Sequence, residues 1–222
     1  MGKEYTRAIA VLGNLPIAGQ IVMSDDFEHL LHWAQYIGEG DSVFELDPSL
    51  AKQGNQSLYM KTRTTTSTED DIIGRGRSFH LLPSHVMTFL GSFRYPSRSV
   101  IKKLTILLNY YSGSRLRIPQ IHFNPNTPSW ELEDEAETPI AITNFDVVLS
   151  HDAWHMFILK VNFATSKYLS LQVDHLLADL SAYSFVNVAV EEPSLLSAEV
   201  FIQTAGANPA SINLDEFLIH EI

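Results

Sequence analysis

The chain has 222 residues, 45% of them hydrophobic and 18% charged, with 11 Gly and 10 Pro. That composition can bury a core and excludes disordered, collagen-like and membrane-spanning classes. Fifteen Lys and Arg against 26 Asp and Glu give a net charge of −11, which argues against a nucleic-acid backbone or an anionic membrane as the main partner. Cysteine is absent, so disulfides, thiolate zinc sites and cysteine nucleophiles are excluded.

In residues 1–19, Lys3 and Arg7 flank the apolar stretch 8–12, and Ala18-Gly19 has the small residues of a cleavage site. Glu4, Asn14 and Pro16 break that pattern, so it does not make a convincing signal peptide. Gly2 and Thr6 fit the short myristoylation pattern, with no second membrane signal beside it. Residues 1–19 therefore read as an N-terminal arm or a first edge strand. A cytoplasmic or virion-associated location is favoured over secretion. No run reaches the ~20 apolar residues that a membrane-spanning helix needs.

From Gln20 onward the pattern is that of strands. Residues 43–46 and 57–61 are short β-rich runs separated by the turn signals Asp47-Pro48 and Gly54-Asn55. Strands are expected at 77–82, 86–93, 100–111 and 116–123, closed off by Pro83, Pro96, Gly113, Pro125 and Pro128. The second half continues with 140–149, 154–163, 168–173, 185–190, 199–203 and 212–219. Residues 154–173 form the clearest hairpin, with His155, Phe157, Leu159 and Val161 on one face and the turn at 164–166. Only 27–36 and 193–199 suggest a turn or two of helix. A dozen short strands without strand–helix alternation predict an all-β fold, an antiparallel jelly-roll sandwich of two large sheets. There is no internal repeat and no linker, so residues 20–222 read as a single sandwich domain.

Several short motifs resemble a known superfamily. Asp25-Asp26-Phe27-Glu28, then Trp33, then the run from Gln53 to Leu58, resemble the opening strands of jelly-roll carbohydrate-binding modules. The ending from Ile212 to Ile219 resembles their last strand. The hairpin around Trp154, with Val173-Asp174 after it, is similar to laminin-G-like and concanavalin-like domains, although His175 stands where their turn glycine usually follows. In such modules the first and last strands lie side by side and bind a structural calcium. The resemblance thus implies Asp26, Glu28 and Asp215 as ligands of Ca²⁺, with carbonyls near Gln53-Gly54 completing an oxygen shell. Without a metal, Asp25, Asp26 and Glu216 would be solvated edge charges that discourage aggregation.

Charge is polarised along the chain. Arg94, Arg98, Lys102, Lys103, Arg115 and Arg117 fall in a segment with no acid, whereas 131–137 holds five acids and no base. The acidic run reads as an exposed loop. On a strand, however, Glu131, Glu133 and Glu135 would share a face, similar to the carboxylate strand of concanavalin-like glucan hydrolases. The two segments could pair within the chain or across a subunit contact. His29 and His32 have a spacing that could share a metal but lack a third ligand, whereas His151 and His155, four apart with the second on a strand, would lie more than about 10 Å apart. Gly74-Arg75-Gly76-Arg77 reads as a turn into a strand, not a phosphate loop.

Sugar-binding sandwiches stack pyranose faces on exposed aromatic rings. Candidates for such ligand-binding platforms are Tyr110, Tyr111, Trp130, Tyr95 and Tyr36, with Trp154 read as a core anchor. Three functional readings follow. The first is a non-catalytic module that recognises a glycan. The second is a structural or assembly protein, such as a virion decoration or tail component, docking on a partner protein or forming a homo-oligomer. The third is a glycoside-active enzyme using Glu131 and Glu135.

Overall fold

The computed structural model describes residues 20–28, 33–37, 41–63, 70–79, 86–97, 100–145 and 147–222. The expected arm 1–19 and His29 and His32 lie outside them. Seventeen strands are described. They begin with β1 (Gln20–Asp25), β2 (Ala34–Ile37), β3 (Val43–Asp47), β4 (Ser57–Lys61), β5 (Ile72–Phe79) and β6 (Val86–Arg94). Next come β7 (Ile101–Tyr111), β8 (Arg115–Ile118), β9 (Gln120–Asn124), β10 (Ser129–Glu133), β11 (Pro139–Ala141) and β12 (His155–Asn162). The last are β13 (Lys167–Val173), β14 (Leu176–Asp179), β15 (Val186–Ala189), β16 (Leu195–Thr204) and β17 (Ser211–Glu221).

They form two antiparallel sheets, the jelly-roll sandwich expected from the strand pattern. An eight-stranded sheet runs β14-β13-β12-β6-β17-β4-β3, with β1 lying end to end with β4 along the same edge of β17. A nine-stranded sheet runs β11-β10-β9-β7-β16-β5-β2, with β8 in line with β9 along β7, and β15 beyond β8. First and last strands are neighbours, as the resemblance implied.

Alternation accounts for the facing of most strands. In β12, His155, Phe157, Leu159 and Val161 are buried and the residues between them are not. In β13 a register shift opposite Lys160/Val161 leaves Leu169 without a partner, so Tyr168 turns inward along with Leu171 and Val173. Three aromatic groups run through the core. One is Phe27, Trp33, Phe89, Phe157 and Phe217. The second is Phe93, Tyr95, Phe123 and Trp130, and the third Tyr110, Phe163, Phe185 and Tyr168. Gly91 makes room for the first group, since a Cβ there would lie 2.7 Å from the Phe157 ring.

Several expectations are corrected. Residues 193–199 enter β16 rather than a helix, and of 27–36 the described part is a turn at Phe27 and Glu28 followed by β2. The turn expected at Gly74 to Arg77 lies inside β5. Only the start of 140–149 is strand. The acidic segment is not wholly a loop: Trp130 and Leu132 are buried, so β10 is an interior strand and the exposed turn begins after Glu133. Trp154 is half-buried, just before β12. Among the described residues no helix is long and apolar enough to cross a membrane.

Candidate functional site: the recessed outer face of the nine-stranded sheet

The central strand β16 turns Leu196, Ala198, Val200 and Ile202 into the core, which places Ser197, Glu199 and Phe201 on the outer face. Its neighbour β7 likewise buries Leu104, Ile106 and Leu108, so Lys103, Thr105, Leu107, Asn109 and Tyr111 face outward. The register then lines up rows across the sheet. Glu131, His122, Thr105 and Phe201 form one row; Gln120, Leu107 and Glu199 form the next; Asn109 stands opposite Ser197.

These outward polar groups are nevertheless hidden. Thr105, His122, Ser197 and Glu199 are at most 8% exposed. Polar side chains that point away from a core and still lose their water mark a recessed face, and they need partners. Glu199 Oε1 accepts from Asn109 Nδ2 and Ser197 Oγ, both at 2.7 Å. Its Oε2 has no partner among the described residues. Gln120 Nε2 donates to His122 Nε2 at 3.2 Å, which puts the ring proton on Nδ1, 2.9 Å from Thr105 Oγ1.

The electrostatics follow from that burial. Loss of water, helped by the positive Lys103, pushes the His122 pKa down to about 3, so the ring is neutral. Burial raises the Glu133 carboxyl; Lys103 partly offsets this, while Glu137 and Asp134 add to it. Glu133 Oε1 lies 3.8 Å from His122 Nε2. Tyr168 anchors these strands from behind. It crosses the core from β13, accepts from Gln120 N and donates to the carbonyls of Gln120 and Glu133 at 2.9 and 2.8 Å.

At the far end of the same face, two residues from Asn109, Tyr111 opens a groove of about 600 Å³. Leu116, Val190, Pro193 and Leu195 line it, with Glu191 and Glu192 beside them. Of the five aromatic candidates, Tyr111 is the one placed on this face. Tyr110 points the other way, edge-on to Phe163 at 5.0 Å. Trp130 and Tyr95 are corrected outright. Both are 1% exposed, Trp130 stacked on Phe123 and Tyr95 donating its hydroxyl to Leu149 O, so neither ring can meet a sugar. The Tyr36 side chain lies outside the described residues. Glu199, Asn109, Gln120 and His122 were not singled out from sequence.

Glu28 and Asp215 do meet at one loop, but through its N–H groups. Asp215 Oδ2 accepts from Lys52 N and Gln53 N, and Glu28 accepts from Asn55 N and Gln56 N. Asp26 accepts from Glu28 N. Beside them the Lys52 ammonium reaches Glu216 at 2.6 Å and Ser92 Oγ at 2.9 Å. Among the described residues no group of three or more His, Asp or Glu side chains that could hold a metal is found, and Asp26, Glu28 and Asp215 here accept from N–H groups.

The strands and this face define an antiparallel jelly-roll sandwich with a polar outer sheet face. No family model matches the chain, and no curated protein matches it. Its fold is shared with an endo-β-1,4-glucuronan lyase from the fungus Trichoderma reesei, at 13% identity and a TM-score of 0.65, over 91% of this chain and 96% of that one. It is shared with the cellulose-induced protein Cip1 at 13% identity and a TM-score of 0.59, over 90% and 97%. A carbohydrate esterase from the Shiga toxin-encoding bacteriophage phi24B gives 10% identity and a TM-score of 0.54, over 92% and 99%. At these identities the likeness is one of fold.

Proposed function

We propose that the chain is a binding module that lays a glycan along β7 and β16, over the recessed outer face and into the Tyr111 groove. The carrying observation is the outward row of hydrogen-bonded polar groups on that face: Thr105, Ser197 and Glu199, with the half-buried Asn109 and Gln120 beside them. Such pre-set donors and acceptors beside an apolar wall suit a sugar, which presents hydroxyls and an apolar ring face. The glycan-directed activities of the glucuronan lyase and the phage esterase that share the fold support the substrate class. Screening a glycan array with the wild type, Tyr111→Ala and Asn109→Ala tests this. The wild type is expected to retain at least one glycan and both variants to lose it. A folded wild type that binds none rejects the reading.

A second reading, a structural or assembly component, is favoured by the opposite side of the molecule. The outer face of the eight-stranded sheet carries Leu90 and Leu218 packed with Ile21, Met156 and Ile158, and Leu177 nearby is 69% exposed. An apolar stripe of this kind suits a protein contact. Sedimentation velocity over a range of concentrations should then show self-association that Leu177→Glu reduces; a monomer throughout, with no partner on that face, would remove this reading.

A further inference from the structure

Glu199 is a buried carboxylate with no cation beside it. It is 6% exposed, both of its hydrogen bonds fall on Oε1, and no Lys, Arg or His pairs with it among the described residues. Taking a carboxylate out of water is costly unless a cation or a full set of donors compensates it. Here both donors fall on Oε1, while Oε2 keeps contact with solvent on the outward side of β16, where a ligand can reach it.

The rest of the face has the same sign. Glu131 and Glu133 project from β10 onto it; Lys103 also faces it, while Lys102 at the β7 bulge is held by Asp70, which accepts from the outward Gln203 as well. Glu191 and Glu192 continue the negative charge at the Tyr111 groove. A ligand bearing carboxylates would meet this surface with like charge and pay for it. A ligand bearing ammonium groups would supply the cation that Glu199 lacks, by a charge-assisted hydrogen bond.

Building on the glycan-binding reading, we propose that this face takes a polysaccharide of free amino sugars, with one ammonium group on Glu199 Oε2, and rejects polymers of uronic acids. The neutral partners assign the remaining contacts. Asn109, Gln120 and Thr105 face the sugar hydroxyls, and the Tyr111 ring takes an apolar sugar face at the groove. Glu199 stands four residues along β16 from Leu195 in that groove, about 13 Å at the rise of a strand. The ligand is therefore an oligomer longer than one ring. Similarity of fold to a glucuronan lyase does not carry its substrate across, because the sign of the charge on the face is set by side chains and not by topology.

Three hexamers discriminate: β-1,4-linked glucosamine, its N-acetylated counterpart, and β-1,4-linked glucuronate, each titrated calorimetrically into the wild type and Glu199→Gln. The glucosamine hexamer is expected to bind the wild type at least about tenfold more tightly than the N-acetylated one, as one charge-assisted hydrogen bond supplies. Glu199→Gln is expected to abolish that preference, and a urea midpoint close to that of the wild type shows that the variant is folded. Equal or tighter binding of the N-acetylated or glucuronate hexamer overturns the inference and leaves the glycan reading standing. Binding of no hexamer, together with a blank glycan array from folded protein, overturns both.

Discussion

Arg75 shows how a single residue can be at odds with its surroundings. It lies on β5 opposite Val200, on the core side of the sheet, and is 2% exposed. Its guanidinium sits 4.1 Å over the Phe44 ring, NH1 donates to Gly74 O at a long 3.4 Å, and Nε has no partner. Burial lowers its pKa to about 10. Two residues along, Arg77 pairs with Asp25, which also accepts from the Trp33 indole. Arg75 has no such carboxylate among the described residues. A desolvated cation over an aromatic face recovers about 2 kcal/mol or somewhat more, less than the cost of burying an unpaired charge. A methionine of similar length would keep the contact with Phe44 and remove the buried charge. Arg75→Met is therefore expected to raise stability by about 1–4 kcal/mol, the range seen when buried ionic groups give way to apolar ones. Urea unfolding of the two proteins measures it, and a loss of stability would show that the guanidinium is better compensated than its contacts indicate.

At the scale of the strand, what could be read from the sequence was what repeats locally. The 57–61 strand and the core-facing side of 155–161 follow directly from period-two alternation. β10 was obscured although Trp130-Glu131-Leu132-Glu133 alternates, because the charges of 134–137 beside it made the whole run resemble a loop. Tyr168 illustrates another limit: one bulge at Leu169 reverses the face of every residue beyond it, and no local pattern marks the bulge. The site was hidden for a further reason. Glu199 and Asn109 are ninety residues apart and meet only through the β7–β16 register. Burial on an outward face depends on how a large sheet curls, which residue types do not encode singly. Trp130 was misjudged for the same reason, since an aromatic on an unrecognised strand has no assigned face.

Across the whole molecule the two sheets carry buried ionisable groups whose effects on stability oppose each other. In the eight-stranded sheet, burial raises the Asp215 pKa from 3.8 to about 7 despite the N–H groups it accepts. Between those values the folded state holds a proton that the unfolded state has released, so the Asp215 contribution to stability falls as pH rises. In the nine-stranded sheet, His122 is protonated in the unfolded chain below about 6.5 but stays neutral in the fold down to about 3. Its contribution is complete above the unfolded value and is lost as pH falls. From about pH 4 to 6.5 the two slopes have opposite sign and each approaches 1.4 kcal/mol per pH unit. The contributions of these two groups therefore offset each other in this window. Removing one unmasks the other. Relative to the wild type, Asp215→Asn should gain stability by about 1.4 kcal/mol for each unit of rising pH in this window, and His122→Gln should lose it at the same rate. Urea midpoints at pH 4.5, 5.5 and 6.5 are enough to decide. Profiles that run parallel to the wild type would mean that neither group changes its protonation on folding, and the cancellation would have to be abandoned.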